Sequence, residues 1–347
     1  MLSTGSTKFK GYNSPEYQII KDVFASMPMM DVYVANIIEE YIYSIVREYY
    51  PSLDGINNGL LKYEYRTKFG KKDGEYKSWF DNGQLYVQTQ YVDGKLYGKY
   101  KQWHRDSRLA LNETEGRTDN SEEDRGHLYI QTTYVDDKKH GEYKRWYRGS
   151  DNSVFDRGQL DIQTNYIEGK EYGEYKSWYE NGQLSVRATY IEGKLQGEYK
   201  NFFSNGQLCV QSTYIEGKLH GEYKQWWDTN SVEDLGQLRI QTTYVEDKKH
   251  GEYKEWNNDG QLYVYKTYVE GKLHGECKQW FDSNSQLYLQ TNYIEGKEYG
   301  EYKEWFENGQ LHVQTNYIEG ELHGEYKTWF ESGQLDVQTT YVDGVIV

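Results

Sequence analysis

The stretch that decides the fold is Gly74-Glu75-Tyr76-Lys77-Ser78-Trp79-Phe80-Asp81-Asn82-Gly83-Gln84-Leu85-Tyr86-Val87-Gln88-Thr89-Gln90-Tyr91-Val92-Asp93-Gly94-Lys95. Its first part, Gly74 to Phe80, is aromatic and bounded by glycine. Asp81-Asn82-Gly83 follows, and Asn-Gly between apolar runs is a strong hairpin signal because both turn residues need φ > 0. Gln84 to Tyr91 alternates with period two, as a half-buried strand does. Val92-Asp93-Gly94-Lys95 forms the next turn. The unit reads as two antiparallel strands and two turns.

This unit is repeated. Gly-Glu-Tyr-Lys-x-Trp recurs, with few substitutions, ten times, opening at Gly74, Gly98, Gly141, Gly173, Gly197, Gly221, Gly251, Gly275, Gly300 and Gly324. The spacings are 24, 43, 32, 24, 24, 30, 24, 25 and 24, a period of 24 with four insertions. Asn58 to Tyr63 aligns with Asn82 to Val87 as a preceding half repeat. The expected fold is mostly β: an elongated, single-layer antiparallel meander over residues 58–347. It holds about 21 strands and, at about 4.8 Å per strand, is about 100 Å long.

A two-residue loop at Asn82-Gly83 pairs Phe80 with Leu85, Ser78 with Val87, Tyr76 with Thr89 and Gly74 with Tyr91, all on one apolar face. Trp79 then lies opposite Tyr86, Lys77 opposite Gln88 and Glu75 opposite Gln90 on a polar face. A four-residue second turn, Asp93 to Leu96, pairs Thr89 with Tyr100 and Tyr91 with Gly98, so the register repeats without net shift. A two-residue second turn would slip two residues per unit. The unsheared version is preferred, with the Tyr91 ring covering backbone that Gly74 and Gly98 leave bare.

On the polar face Trp79, Trp103, Trp146, Trp178, Trp226, Trp256, Trp280, Trp305 and Trp329 form a row, with Phe202 in the remaining unit and Trp227 outside it. This row is a candidate interaction surface as well as a packing device. The insertions, near 104–125, 147–157, 227–235 and 282–285, all fall at one hairpin turn. They therefore line one long edge, where loops carry recognition without disturbing a core.

Residues 1–57 lack the repeat. Pro15–Ser26 and Met30–Tyr50 read as helices, the second with an apolar stripe of Val32, Ala35, Ile38, Ile42, Ile45, Val46 and Tyr49. Asp31 is its expected N-cap and Pro51 its stop. The segment is expected to cap the first strand, since an open sheet edge invites aggregation. The alternative is a docking module: Met27-Pro28 and Ile37-Ile38-Glu39-Glu40-Tyr41 resemble the start of an F-box, which would make the chain an adaptor recruiting a ubiquitin-ligase component.

Composition fits a thin structure. The 347 residues are 36% hydrophobic and 17% aromatic, with 38 tyrosines and 3 prolines, and mean hydropathy is −1.00. Such aromatic content separates the chain from disordered sequences of equal polarity. A net charge of −15, from 40 basic and 55 acidic residues, argues against nucleic acid and anionic membrane as partners. Met1–Lys10 is not an apolar leader and no apolar run of membrane-spanning length occurs. An intracellular, cytoplasmic protein is expected.

Units such as Gly320-Glu321-Leu322-His323-Gly324-Glu325-Tyr326-Lys327-Thr328-Trp329-Phe330-Glu331-Ser332-Gly333-Gln334-Leu335 resemble MORN repeats. They most resemble the variant type of bacterial YwqK-like proteins, which is abundant in large DNA viruses. The resemblance covers about 290 residues. It implies a long sheet used as a scaffold for protein contacts, with an antitoxin label common among bacterial members. Near-identity of the units suggests recent duplication, as in a viral genome, and a virion structural role is a variant of the scaffold reading. Some MORN proteins are linked to phosphoinositides; the acidic charge speaks against that here.

No phosphate loop, nucleophile elbow or zinc spacing is present. His140, His220, His250, His274 and His323 occupy equivalent positions. Tyr97, Tyr172, Gln196 and Tyr299 fill the same place in other units and preserve no metal-ligand set. The Glu75 column, through Glu325, repeats in nearly every unit, unlike a singular catalytic pair. It reads as a solvated stripe partly neutralised by the Lys77 column. Cys209 and Cys277 read as substitutions, not nucleophiles. No cofactor, metal or catalytic residue is expected. The expected function is a non-enzymatic scaffold with a protein partner of unknown identity, a second copy of the chain being one candidate.

Overall fold

The computed structural model describes residues 42–51, 59–105, 127–148, 158–228 and 236–347. These residues form one antiparallel sheet of 29 strands. Seven of those strands are two-residue pieces such as Lys95–Leu96. Without them the meander has 22 strands, one more than the repeat arithmetic gives. Among the described residues only Ile42, just before the first strand, is helical.

The additional strand corrects the reading of the N-terminal segment. β1 (Tyr43–Tyr49) lies where a helix was expected, and it pairs with β2 (Leu61–Lys68), the half repeat, from Tyr43↔Lys68 to Glu48↔Tyr63. The reason is local composition plus an available partner. Tyr43, Ile45, Val46 and Tyr49 are aromatic or β-branched, which suits a pleated surface, and β2 would otherwise be an edge. Cross-strand pairs fix the register: Arg47 Nε to Glu64 at 2.5 Å, Lys62 Nζ to Glu48 at 2.7 Å, and the hydroxyls of Ser44 and Thr67 at 2.5 Å. The sheet thus includes part of the segment assigned to a helical cap. The helix over 15–26, the F-box-like residues and Asp31 lie outside the described residues.

Within the unit, β3 (Lys71–Trp79) and β4 (Leu85–Val92) pair as expected from Gly74↔Tyr91 to Ser78↔Val87. The register then breaks, and Trp79 pairs with Leu85, leaving Tyr86 as an extra residue. Asn82-Gly83 is not a two-residue turn. Gly83 N–H donates to Phe80 O at 3.0 Å, Phe80 N–H to Gln84 O at 2.8 Å, and only Gly83 has positive φ, 81°. This is a three-residue loop closed by a glycine in the left-handed region. The Asn82 side chain accepts from Gln84 N–H at 3.2 Å. Nine further units show the same shift beside Trp or Phe, for example Trp178↔Leu184 and Trp329↔Leu335.

The two-residue turn with both φ positive occurs instead at Asp93-Gly94, at 49° and 86°. It pairs Tyr91↔Leu96 and Val92↔Lys95, joining β4 to β5 (Lys95–Leu96). Tyr97 and Gly98 then bulge, and β6 (Gly98–Trp103) resumes at Val87↔Gln102 and Gln88↔Lys101. Val87 therefore faces Ser78 on one side and Gln102 on the other, one full unit apart. The unsheared register holds, by a tight turn plus a compensating bulge and not by a four-residue turn. Gly98 is needed for its φ of 82°.

Successive units are tied at both edges. Gly94 N–H donates to Lys72 O at 2.7 Å, Gly193 to Glu171 at 2.9 Å and Gly217 to Leu195 at 2.8 Å, each tight turn stacking on the one before. At the other edge the turn glycines Gly182, Gly206, Gly260, Gly309 and Gly333 lie against the glutamine of the previous unit. A Cβ at Gly206 would stand 2.9 Å from Gln183 Oε1, and one at Gly260 2.1 Å from Gln237 Oε1. The motif Asn-Gly-Gln-Leu is thus an inter-unit contact as well as a turn.

The most buried positions form a lane of small side chains: Thr89, Thr164, Ser212, Thr291 and Thr315 are at most 2% exposed, as is Ala188. All but Thr291, which faces Cys277, pair across the sheet with tyrosine, as Thr89 does with Tyr76. The tyrosine rings Tyr76 and Tyr91 meet edge-on at 5.8 Å, and the pair recurs at Tyr175–Tyr190, Tyr199–Tyr214 and Tyr326–Tyr341. Large rings closing over small residues give a single-layer sheet its core.

Candidate interaction surfaces

Strand alternation and the bulge together set what each face carries. Glu75, Lys77 and Trp79 alternate onto one face, with Gln88, Gln90 and Val92 from β4. Lys77 Nζ bonds Glu75 at 2.9 Å, and Gln88 Nε2 donates to the other Glu75 oxygen at 2.7 Å. The triad recurs at Glu198, where Lys200 and Gln211 take the places of Lys77 and Gln88. The lysine hydrogen bond is the main cause that holds Glu142, Glu174, Glu198, Glu222, Glu252 and Glu301 below the usual carboxylate range. The glutamate column is thus a ladder of neutralised pairs. Such exposed pairs contribute little each, about 0–1 kcal/mol.

The tryptophan row is in place but is not an open aromatic strip. Each tryptophan faces a leucine on the next strand, as in Trp103↔Leu128, Trp146↔Leu160, Trp226↔Leu238, Trp256↔Leu262, Trp280↔Leu287 and Trp305↔Leu311. Trp79, Trp178 and Trp329 do the same with Leu85, Leu184 and Leu335. The indoles are half-buried and Trp103 is buried. Sequence reasoning missed a second apolar lane on this face, beside the tight turns. Val92, Ile167, Ile191, Ile215, Val245, Val269, Ile294, Ile318 and Val342 are each 41–47% exposed. Its signal was legible in the repeated Tyr-[Val/Ile] that precedes Asp-Gly or Glu-Gly, or Asp-Asp and Glu-Asp in two units.

The bulge turns Tyr86 away from Trp79 to the tyrosine face. There its hydroxyl accepts from Gln102 Nε2 at 3.1 Å, and Tyr100 OH donates to Gln102 Oε1 at 3.0 Å. The same two positions touch in other units. Arg145 bonds Asp161 at 2.5 Å, Asn201 reaches Ser185 O at 3.1 Å and His312 lies 3.7 Å from Glu304. At the turn, the preceding side chain stacks on the bulged one: Phe80 on Tyr86 at 4.6 Å, His104 on Tyr129 at 4.4 Å and Phe306 on His312 at 4.3 Å. The Tyr86 position reads Tyr86, Asp161, Ser185, Cys209, Arg239 and His312 in different units, between nearly constant neighbours. The lane where units differ most is therefore gathered on one face.

Next to the tyrosine pairs a further position holds Lys72, Lys139 or Lys249 over the rings. Lys72 Nζ lies 4.8, 4.6 and 4.9 Å from the rings of Tyr65, Tyr76 and Tyr91. Burial pushes these three ammonium groups below their ordinary value. In two units the position is acidic and takes a tyrosine hydroxyl, as Glu171 does from Tyr166 at 3.0 Å, and in five others it is leucine.

Cys277 is buried at a tyrosine position, paired with Lys266, and burial pushes its thiol up, as it does for Cys209. A raised thiol is a poor nucleophile. His323 Nδ1 stands 3.3 Å from Asp343, and among the described residues no three His, Cys, Asp or Glu side chains are grouped to hold a metal ion. No helix among them is long and apolar enough to cross a membrane.

Comparison with known proteins bears on this architecture. No curated protein matches. The crystal structure of TcdB2-TccC3 matches at 12% identity with a TM-score of 0.16, covering 88% of this chain and 20% of that one. The chain thus spans about a fifth of that structure's length. The family model described as the MORN repeat variant matches at residues 72–93, 171–192, 195–216, 249–270, 298–319 and 322–343. Each match runs 22 residues, from the position of Lys72 to the first residue of the next tight turn, within the 24-residue module of the sheet, and the chain is a MORN repeat protein of the variant type.

Proposed function

We propose that this chain is a non-enzymatic scaffold for protein–protein contacts. The observation that carries this reading is the pair of apolar lanes on the tryptophan face. Half-exposed Trp and Leu run along one margin and exposed Val and Ile along the other, flanking a band of neutralised Glu, Lys and Gln. Regular apolar lanes around a polar centre suit a protein surface better than a small molecule. Unsheared register supports the reading because equivalent side chains stay aligned from unit to unit.

The test is a pull-down with the full chain as bait, repeated with Ile191→Lys and Ile215→Lys together. Stoichiometric prey that the double variant loses supports the scaffold. A second copy of the chain is the first partner to examine, by light scattering well above micromolar concentration. A strict monomer that retains no protein at all would contradict the reading.

A further inference from the structure

Among the described residues, the variable lane of the tyrosine face holds a cation, Arg239, with no acid at salt-bridge distance. Arg239 stands at the Tyr86 position, and its guanidinium carbon lies 4.4 Å from the ring centroid of Trp227. Trp227 is the tryptophan outside the repeated row. Its indole N–H donates to Trp256 O in the next unit at 3.1 Å, so the ring is held flat against the sheet. The other arginine of this lane, Arg145, is already paired with Asp161. Arg239 has no carboxylate within salt-bridge distance among the described residues, and its Nε is enclosed without an acceptor. Glu255, the acid on the neighbouring strand, is instead engaged by Tyr253 OH at 2.8 Å. Ile240, next to Arg239, pairs with Glu255.

We propose that Arg239, stacked on Trp227, is an anchor for a carboxylate-bearing side chain of a protein partner. The proposal rests on the scaffold reading and names a chemistry for a second surface, on the opposite face. Three points support a carboxylate. A guanidinium stacked on an aromatic ring loses little entropy on pairing, and with Nε enclosed the two terminal Nη groups are the donors left for a partner. That fork matches a carboxylate bidentately. Glu255 on the adjacent strand disfavours a dianionic phosphate more than a monoanionic carboxylate. The site also occurs once, which distinguishes it from the repeated ladders on both faces.

The test uses the full chain and a phage-displayed library of random peptides as the probe. Selected peptides should carry Asp or Glu at a fixed position. Their binding should weaken about tenfold or more with both Arg239→Gln and Arg239→Lys, the second keeping the charge but not the planar fork. Circular dichroism of both variants checks that the sheet is intact, and Trp227→Phe, which retains a stacking ring, should weaken binding less. Binders unaffected by either arginine variant would overturn the proposal. So would a selection without an acidic preference, or tighter binding when phosphoserine replaces the selected acid. The scaffold reading is judged apart from this, by the Ile191 and Ile215 variant on the other face.

Discussion

The amide of Gly193 donates to the carbonyl of Glu171 at 2.9 Å, joining two tight turns in successive units. Gly193 has φ of 77° beside Glu192 at 51°. The turn therefore combines a left-handed glycine with a bond that runs between modules. Gly193→Ala should lower stability by about 1–2 kcal/mol, since Cβ is disfavoured in that region. The loss should appear as faster hydrogen exchange in the units of Glu171 and Gly193 before the distant ones, because repeat arrays unfold in parts. Uniform exchange across the chain would contradict this.

Gly251 and Gly260 have nearly equal φ, 78° and 79°, yet differ in surroundings. A Cβ at Gly251 meets nothing within 4 Å, whereas one at Gly260 would strike Gln237 Oε1. Gly260→Ala should therefore cost about 0.5 kcal/mol more than Gly251→Ala, from the rotamer shift forced on the exposed Gln237 side chain. Adding Gln237→Ala should remove most of that difference in urea denaturation. An unchanged difference would show that backbone strain alone is responsible.

Tryptophans of the row differ in burial and should differ in cost. Trp103 is 5% exposed, and its replacement by alanine should cost about 3–5 kcal/mol. Trp178 and Trp305, half-buried against Leu184 and Leu311, should lose less. Equal losses in denaturation midpoint would mean that the row is not set by local packing.

Many of the 38 tyrosines should resist ionisation while the sheet is folded. Burial first, then the hydrogen bond to Glu255, pushes Tyr263 up to about 12. Its hydrogen bond to Glu48 pushes Tyr63 up to about 12. Burial likewise raises Tyr175, Tyr190, Tyr199 and Tyr223. The unfolded value is lower, near 10. Stability from these groups is therefore complete below pH 10 and is lost as pH rises from there through the raised values. Tyrosinate absorbance of the folded chain should lag a denatured control between pH 10 and 12. Coincident curves would contradict the buried tyrosine layer.

Much of this was legible in the 24-residue unit. Gly74 to Ser78 against Tyr91 to Val87 paired as the alternation implied, because period two leaves little choice where one face is buried. Tyr86 was misplaced because Asn-Gly serves two kinds of loop, and one extra loop residue moves a side chain to the opposite face. That misplacement hid the variable lane. Tyr43–Tyr49 was misread because its apolar spacing of three and four also fits a strand rich in Tyr, Ile and Val, and helix or strand was decided by the free edge of Leu61–Lys68. The Val92 lane went unnoticed because a single Val or Ile per unit means little until the register aligns them.

The central claim is that every unit advances the sheet by two strands with no net shear, whatever its insertion. Pulsed electron–electron resonance between spin labels tests it most directly, with Thr189 labelled in turn with Thr213, Thr243 and Thr340 after replacing Cys209 and Cys277. The separation should grow with the number of units crossed, about 10 Å for each at first, and the insertion between Trp227 and Leu238 should add nothing to the Thr189–Thr243 distance. Distances that follow residue count, or that do not rise from one unit to the next, would contradict the account.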